Sequence, residues 1–205
     1  MHELIAVATI TILAVISPGP DFAMVTRNGF SFGRKIGLIS ALGIAAGVQV
    51  HVFYTVLGIA VLITQSPGLF LAMKIAGAAY LMYLGYKSFS NRTPITIDTA
   101  PGHMPSNWQA FGMGFFTNAL NPKTMLFVVA TFTQVVDPGA PFWLNFSYGA
   151  FMSFAHWVWF SIVAIVFSEK RLRAAMLARQ RAVDVLIGAS LFGLGGSLLF
   201  ANSTL

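Results

Sequence analysis

No cysteine occurs anywhere in the 205 residues, and acidic residues number only six. Without thiols the chain has no disulfide, thiolate nucleophile, iron–sulfur ligand or dithiol relay, and the redox compartment stays undetermined. Charge of either sign is scarce: Asp, Glu, Lys and Arg make up 9% of the chain, against about 25% in soluble domains. Such a sequence cannot coat a soluble surface. What it does contain in quantity is apolar, 57% hydrophobic with a mean hydropathy of +0.76, which excludes a disordered chain. The twelve Lys and Arg residues bring the net charge to +6. They sit between apolar runs instead of on one stripe, so nucleic acid is not an expected partner.

A helix needs about 20 mainly apolar residues to cross a hydrocarbon core of about 30 Å. Six stretches meet that length, at about 4–25, 36–63, 69–89, 110–136, 143–167 and 183–201. The first has no basic head and no small-x-small cleavage site, so it reads as a retained span and not as a signal peptide. Lys and Arg concentrate in cytoplasmic loops. Ten of the twelve fall after spans one, three and five: Arg27, Arg34 and Lys35; Lys87 and Arg92; Lys170, Arg171, Arg173, Arg179 and Arg181. The expectation is an all-α integral membrane protein of the inner (plasma) membrane, with six transmembrane helices, the lipid bilayer as partner and both termini outside the cytoplasm. It forms one membrane transport domain over 1–205, with a linker rich in turn-formers at about 90–109.

Span one is interrupted by Ser17-Pro18-Gly19-Pro20-Asp21. The thirteen apolar residues before it reach only about 20 Å, so the interruption falls at membrane depth. Proline removes a backbone donor and clashes with the preceding turn, and two prolines flanking a glycine break a helix instead of bending it. Span four repeats the device at Asn121-Pro122-Lys123, where Asn before Pro is the pattern of an N-cap and its first helical residue. The positive dipole end of that half-helix is expected at mid-depth.

Interrupted spans in corresponding places of two halves point to a transporter's binding site. Pro18 and Pro122 are 104 positions apart, and His51 and His156, the only histidines in spans, are 105 apart. Gly77-Ala78 and Gly85 match Gly188-Ala189 and Gly196 at an offset of 111. Three spans per half give halves of opposite orientation. The expected architecture is two inverted three-helix repeats, about 1–90 and about 110–205, with spans one and four broken by Pro motifs.

Ser17-Pro18-Gly19-Pro20-Asp21, Gly43 through Gly47, Gly77-Ala78-Ala79-Tyr80-Leu81 and Asn118 through Lys123 together resemble the LysE/RhtB family of amino-acid exporters. Within it the chain is most similar to the threonine and homoserine branch, over nearly its whole length. The resemblance implies efflux of neutral amino acids or close derivatives from the cytoplasm, in exchange for protons. No cofactor and no metal are called for, and the histidines map onto no family motif.

Asp21 is the one acidic residue placed inside a span, where an ionisable group costs about 2.5–3.5 kcal/mol unless paired or hydrated. It is the candidate for holding a substrate ammonium or a proton; the plainer reading is an N-cap for a half-helix beginning at Phe22. Lys123 is the matching cation, to pair with Asp21 or receive a substrate carboxylate with the half-helix N-terminus, or simply to fix the break. Asn118, Asn121, Thr117 and Ser17 can bind substrate or satisfy broken backbone. Pro18, Gly19, Pro20 and Pro122 are scaffold. His51 and His156 are packing residues or a proton or substrate pathway, and Gln49 is a candidate to line it. The Gly43-x-x-x-Gly47 spacing lets helices approach closely, within one chain or in a homodimer.

Three other classes compete. A divalent-metal exporter would use His51, His156 and Asp21, and a structural assembly protein would need no site at all. An intramembrane enzyme lacks its minimum parts, for neither His-Glu-x-x-His nor Gly-x-Ser-x-Gly occurs. No Walker-type phosphate loop is present either, so ion gradients and not ATP are the expected energy source. The chain reads as a transporter, not an enzyme.

Overall fold

The computed structural model describes residues 2–90, 103–137 and 139–201. Among them the chain is all helical, in eight helices: α1 (His2–Ile16), α2 (Pro20–Phe32), α3 (Arg34–Gln65), α4 (Pro67–Ser90), α5 (Asn107–Ala119), α6 (Pro122–Val135), α7 (Phe142–Ser168) and α8 (Lys170–Ala201). Two short helices followed by two long ones occur twice along the chain.

Local chemistry explains the boundaries. Between α1 and α2 the backbone turns at Ser17–Gly19, and the two helices meet at 54°. Gly33 ends α2 with φ of 85°, the left-handed region that glycine enters without steric cost. Ser106 opens α5 with a reciprocal capping box: its hydroxyl accepts from Gln109 N at 3.2 Å, and the Gln109 side chain accepts from Ser106 N at 2.8 Å. Asn121 and Pro122 open α6 as N-cap and first residue.

Arg34–Gly58 and Phe142–Ser168 are each long and apolar enough to cross a membrane, and α1 with α2 makes a third candidate if the bent pair is one span. Their outward faces carry large apolar side chains: Leu42, Phe53, Leu57, Phe154 and Ile162 are all exposed. In water that surface would aggregate; in lipid it is the expected coat. Trp108 and Trp143 are exposed as interface anchors would be.

Small residues bring the backbones together, as membrane interfaces require. A Cβ on Gly47 would fall 2.8 Å from the Phe115 carbonyl, and one on Gly43 would fall 2.8 Å from Phe115 N, so α3 and α5 cross in backbone contact. Gly85 and Gly188 do the same for α4 and α8. The Gly43-x-x-x-Gly47 stripe is thus consumed inside the chain and not left for a second copy. One core cluster gathers Ile10, Val48, Leu81, Phe127, Met152 and Leu191; another gathers Val25, Ile44, Phe160 and Phe167, with Phe22 edge-on to Phe167 at 5.7 Å.

Three expectations need correction. The basic segment from Lys170 to Arg181 is not a loop but the first turns of the continuous α8. There Arg173 lies 4.3 Å over the Phe30 ring and Arg181 donates to the Phe89 carbonyl at 2.7 Å, so these cations are tied to α2 and α4. Asp184 is as buried as Asp21, at 2% and 4% exposure, so Asp21 is not the only sequestered acid. Helix α2 starts at Pro20, two residues earlier than expected. Most of the expected linker, residues 91–102, lies outside the described residues.

Candidate functional site

The two breaks meet, and each reaches into the other. Asp21 stands in the first turn of α2, where the helix dipole favours an anion. Its side chain crosses to the second break: Oδ2 accepts from Asn118 Nδ2 at 2.8 Å, Asn121 Nδ2 at 3.0 Å and Thr124 Oγ1 at 3.5 Å. Lys123, in the first turn of α6, crosses the other way and donates through Nζ to the carbonyls of Ser17 and Pro18, the latter at 3.4 Å. Those carbonyls are exposed by the failure of α1 to continue through proline, so a cation satisfies them in place of the missing amides. Lys123 therefore forms no hydrogen bond to Asp21; the breaks are stitched by two separate sets of bonds.

The N-termini of the two half-helices differ. Asn121 caps α6 with its own side chain, Oδ1 accepting from Lys123 N at 3.0 Å. Glycine in the corresponding place on α2 has no side chain to offer, and no side-chain cap is formed at Gly19. The dipole end left open is that of α2, not the α6 end expected from the sequence. Pro20 and Pro122 are both first helical residues, so Pro20, and not Pro18, is the structural counterpart of Pro122. By the same count Asp21 and Lys123 are equivalent positions of opposite charge, and Asp21 is not an N-cap.

Two acceptors at this crossing lack partners among the described residues. Asp21 Oδ1 and Asn118 Oδ1 are buried and make no hydrogen bond, and leaving such an atom unpaired costs about 1–3 kcal/mol. Asn118 has already spent its amide hydrogens on Asp21 and on Thr124 Oγ1 at 3.2 Å. The site thus presents acceptors beside the anion and a cation beside the open helix end. A small cavity of about 20 Å³ adjoins it, bounded by Asp21, Thr124, Phe127, His156 and Phe160, with room for about one water. On the other side of Lys123 a cavity of about 690 Å³ opens toward α4. Ser17, Gly19, Asn121 and Lys123 line both.

The histidines are brought near this crossing but not together as one unit. His51 is buried on α3, with Nε2 2.8 Å from the Asn118 carbonyl and Nδ1 2.7 Å from the Tyr54 hydroxyl. A carbonyl only accepts, so Nε2 carries the proton and the tyrosine donates to Nδ1. His156 bonds the Met152 carbonyl one turn back on its own helix through Nδ1 at 2.7 Å, and lines the small cavity. Gln49 lines neither cavity; it ties α3 to α7 by donating to the Gly149 carbonyl at 3.0 Å and Ser153 Oγ at 2.6 Å. Among the described residues no three His, Asp or Glu side chains converge as a metal site. Thr124 and Tyr54 were not singled out from the sequence. The available signals were their places: Thr124 three residues after the N-cap, Tyr54 one turn after His51.

A helical chain with an apolar exterior and a charged, buried crossing of two broken helices has the build of a multi-pass membrane protein. Comparison with known sequences places it further. The LysE type translocator family model matches residues 12–202, and the chain belongs to that family. It is 26% identical over 201 residues to the threonine efflux protein of Escherichia coli K12, covering 97% of this chain and 98% of that one. It is 35% identical over 145 residues to the uncharacterized membrane protein YrhP of Bacillus subtilis, covering 67% of this chain and 69% of that one. It is also 26% identical over 190 residues to the uncharacterized membrane protein YahN of Escherichia coli K12, at 92% and 85% coverage. No solved structure matches.

Proposed function

We propose that the protein is a secondary exporter of neutral amino acids, threonine- or homoserine-like, driven by proton antiport across the inner (plasma) membrane. The observation that carries this reading is the pairing of unsatisfied acceptors, Asp21 Oδ1 and Asn118 Oδ1, with a cation and an uncapped helix end a few residues away. A zwitterion needs both kinds of partner at once. Its ammonium meets the two acceptor oxygens. Its carboxylate draws Lys123 off the Ser17 and Pro18 carbonyls and faces the free amides at the start of α2.

Coupling follows from competition. Asp21 holds either the substrate ammonium or a proton, so a proton arriving from outside displaces substrate and a substrate arriving from the cytoplasm displaces the proton. The kinship with threonine efflux proteins supports the direction and the substrate class. The repeated order of short and long helices, with Pro20 and Pro122 alike at half-helix starts, supports six spans as two inverted repeats, about 1–90 and 110–205, within one transport domain. Rocking of one half against the other then exposes the crossing to each side in turn. The basic residues orient both termini outside. His51, held on the Asn118 carbonyl, positions Asn118 toward Asp21; Pro18, Gly19 and Pro20 keep the helix open.

The test uses inverted vesicles, whose lumen corresponds to the cell exterior, with an acidic lumen and an external mixture of the twenty amino acids. Mass spectrometry should find one or a few neutral amino acids accumulated, and Asp21→Asn should abolish the accumulation while leaving protein in the membrane. Unchanged accumulation in Asp21→Asn removes Asp21 from coupling. Accumulation of none by the parent chain overturns export.

A further inference from the structure

The larger cavity has a built wall that the crossing itself does not use. On α4, Tyr80, Tyr83, Leu84 and Lys87 fall at spacings of three and four and so share one helix face, and all four line the 690 Å³ space together with Tyr86. That volume is within the range of about 300–1,000 Å³ usual for small-molecule sites. Its floor is Lys123 and the broken ends around Ser17 and Asn121. The Tyr80 hydroxyl donates to the Lys123 carbonyl at 3.4 Å, and the Tyr80 and Tyr83 rings lie 6.1 Å apart at 32°. From Tyr80 to Lys87 the helix rises about 10 Å, from the level of the crossing to the end of α4. Lys87 stands exposed at that end and, among the described residues, forms no hydrogen bond or ion pair.

At the offset of 111 that aligns Gly77 with Gly188, the positions of Tyr80, Tyr83 and Lys87 are held by Leu191, Leu194 and Leu198. The tyrosine and lysine row of α4 is therefore not repeated in the sequence of α8. The small cavity beyond Lys123 has room for about one water, whereas this one has the volume for a small solute.

We propose that this cavity is a loading chamber for an amino acid with a free α-carboxylate, captured first by Lys87 and then handed along the tyrosine face to Lys123. The proposal rests on the export reading and adds to it where the substrate enters and which residue sets recognition of the carboxylate. Lys87 acts before the crossing, so it governs capture and not the coupled step. Its loss should raise KM with little change in kcat.

The chain's lack of cysteine makes the test direct. Single-cysteine variants Tyr83→Cys, Arg34→Cys and Leu42→Cys in inverted vesicles are treated with a membrane-impermeant maleimide, with and without L-threonine or L-threoninamide. Arg34→Cys reports the exposed basic face, and Leu42→Cys reports the lipid-facing surface of α3. Tyr83→Cys should label as Arg34→Cys does, threonine should slow it by about threefold, and threoninamide should not. In the cysteine-free chain Lys87→Gln should raise the KM for threonine on the order of threefold, the scale of a solvent-screened charge contact, and Lys87→Arg should restore it. If Tyr83→Cys resists labelling as Leu42→Cys does, α4 merely presents an aromatic belt with a snorkelling lysine to lipid, and the chamber is overturned. Labelling without protection, or an unchanged KM in Lys87→Gln, overturns it too, while threonine accumulation by the parent chain leaves the export reading standing. If the parent chain accumulates none of the twenty amino acids, both fall.

Discussion

The two helix breaks use the same proline device and end with opposite chemistry. The first carries Asp21 and an uncapped helix end at Gly19; the second carries Lys123 and a helix end closed by Asn121. Each charge is satisfied by the other break and not by its own. The two charges do different jobs: Lys123 satisfies carbonyls that the first break frees, at Ser17 and Pro18, whereas Asp21 gathers the side chains of Asn118, Asn121 and Thr124. The crossing is also left with spare capacity of one kind only, acceptors: the unpaired Oδ1 of Asp21 from the first break and that of Asn118 from the second. That excess of acceptors is where the proposed substrate would place its ammonium.

Substitutions separate the two breaks. The largest effect is expected from Asp21→Asn, which keeps one oxygen to accept from the three donors but removes the charge and the exchangeable proton; gradient-driven accumulation in inverted vesicles should fall to background with membrane insertion retained. Lys123→Ala comes next. It removes charge-assisted bonds of about 1.5–3 kcal/mol, and should weaken carboxylate-bearing substrates more than their amides when uptake of both is compared; equal loss would make the lysine a purely structural stitch. Gly19→Ala is smaller. A Cβ there sits 3.1 Å from Lys123 Cδ and 3.4 Å from Nζ, so the flexible lysine must shift slightly on the Ser17 and Pro18 carbonyls, and turnover should drop while Gly112→Ala, in open space, changes nothing. Asn121→Ala removes a cap worth about 1 kcal/mol and one of the donors to Asp21, and should lower thermal stability in detergent; loss at the uncapped Gly19 end has no counterpart. The smallest expected effect is Gln49→Ala, which loses an interhelical bond of about 0.6 kcal/mol between α3 and α7, with transport retained.

Much of the membrane character was legible in the sequence, because hydrocarbon imposes a length and a polarity on every span. The positions of the breaks were legible too, since proline in a helix interior has one local consequence. The pairing of caps was half legible: Asn121-Pro122 announced itself, but Gly19-Pro20 was obscured by Pro18 beside it, which shifted the expected start of α2. The helical form of Lys170–Arg181 was hidden because five cations in twelve residues read as a charged loop; the Phe30 ring and the Phe89 carbonyl that hold Arg173 and Arg181 come from other helices. Asp184 was hidden at the edge of an apolar run, where composition gives no sign of burial.

Composition and spacing determined that this chain lives in a membrane, is helical, and is broken twice at places holding opposite charges. Those follow from local physics: the cost of unpaired backbone in lipid and the geometry of proline. Only tertiary structure decided that Asp21 answers to Asn118, Asn121 and Thr124, that Lys123 answers to Ser17 and Pro18, and that Gly43 and Gly47 serve α5 within the same chain. Such partners lie 68 to 106 residues apart, and no periodicity of a single helix encodes which face of another helix it will meet.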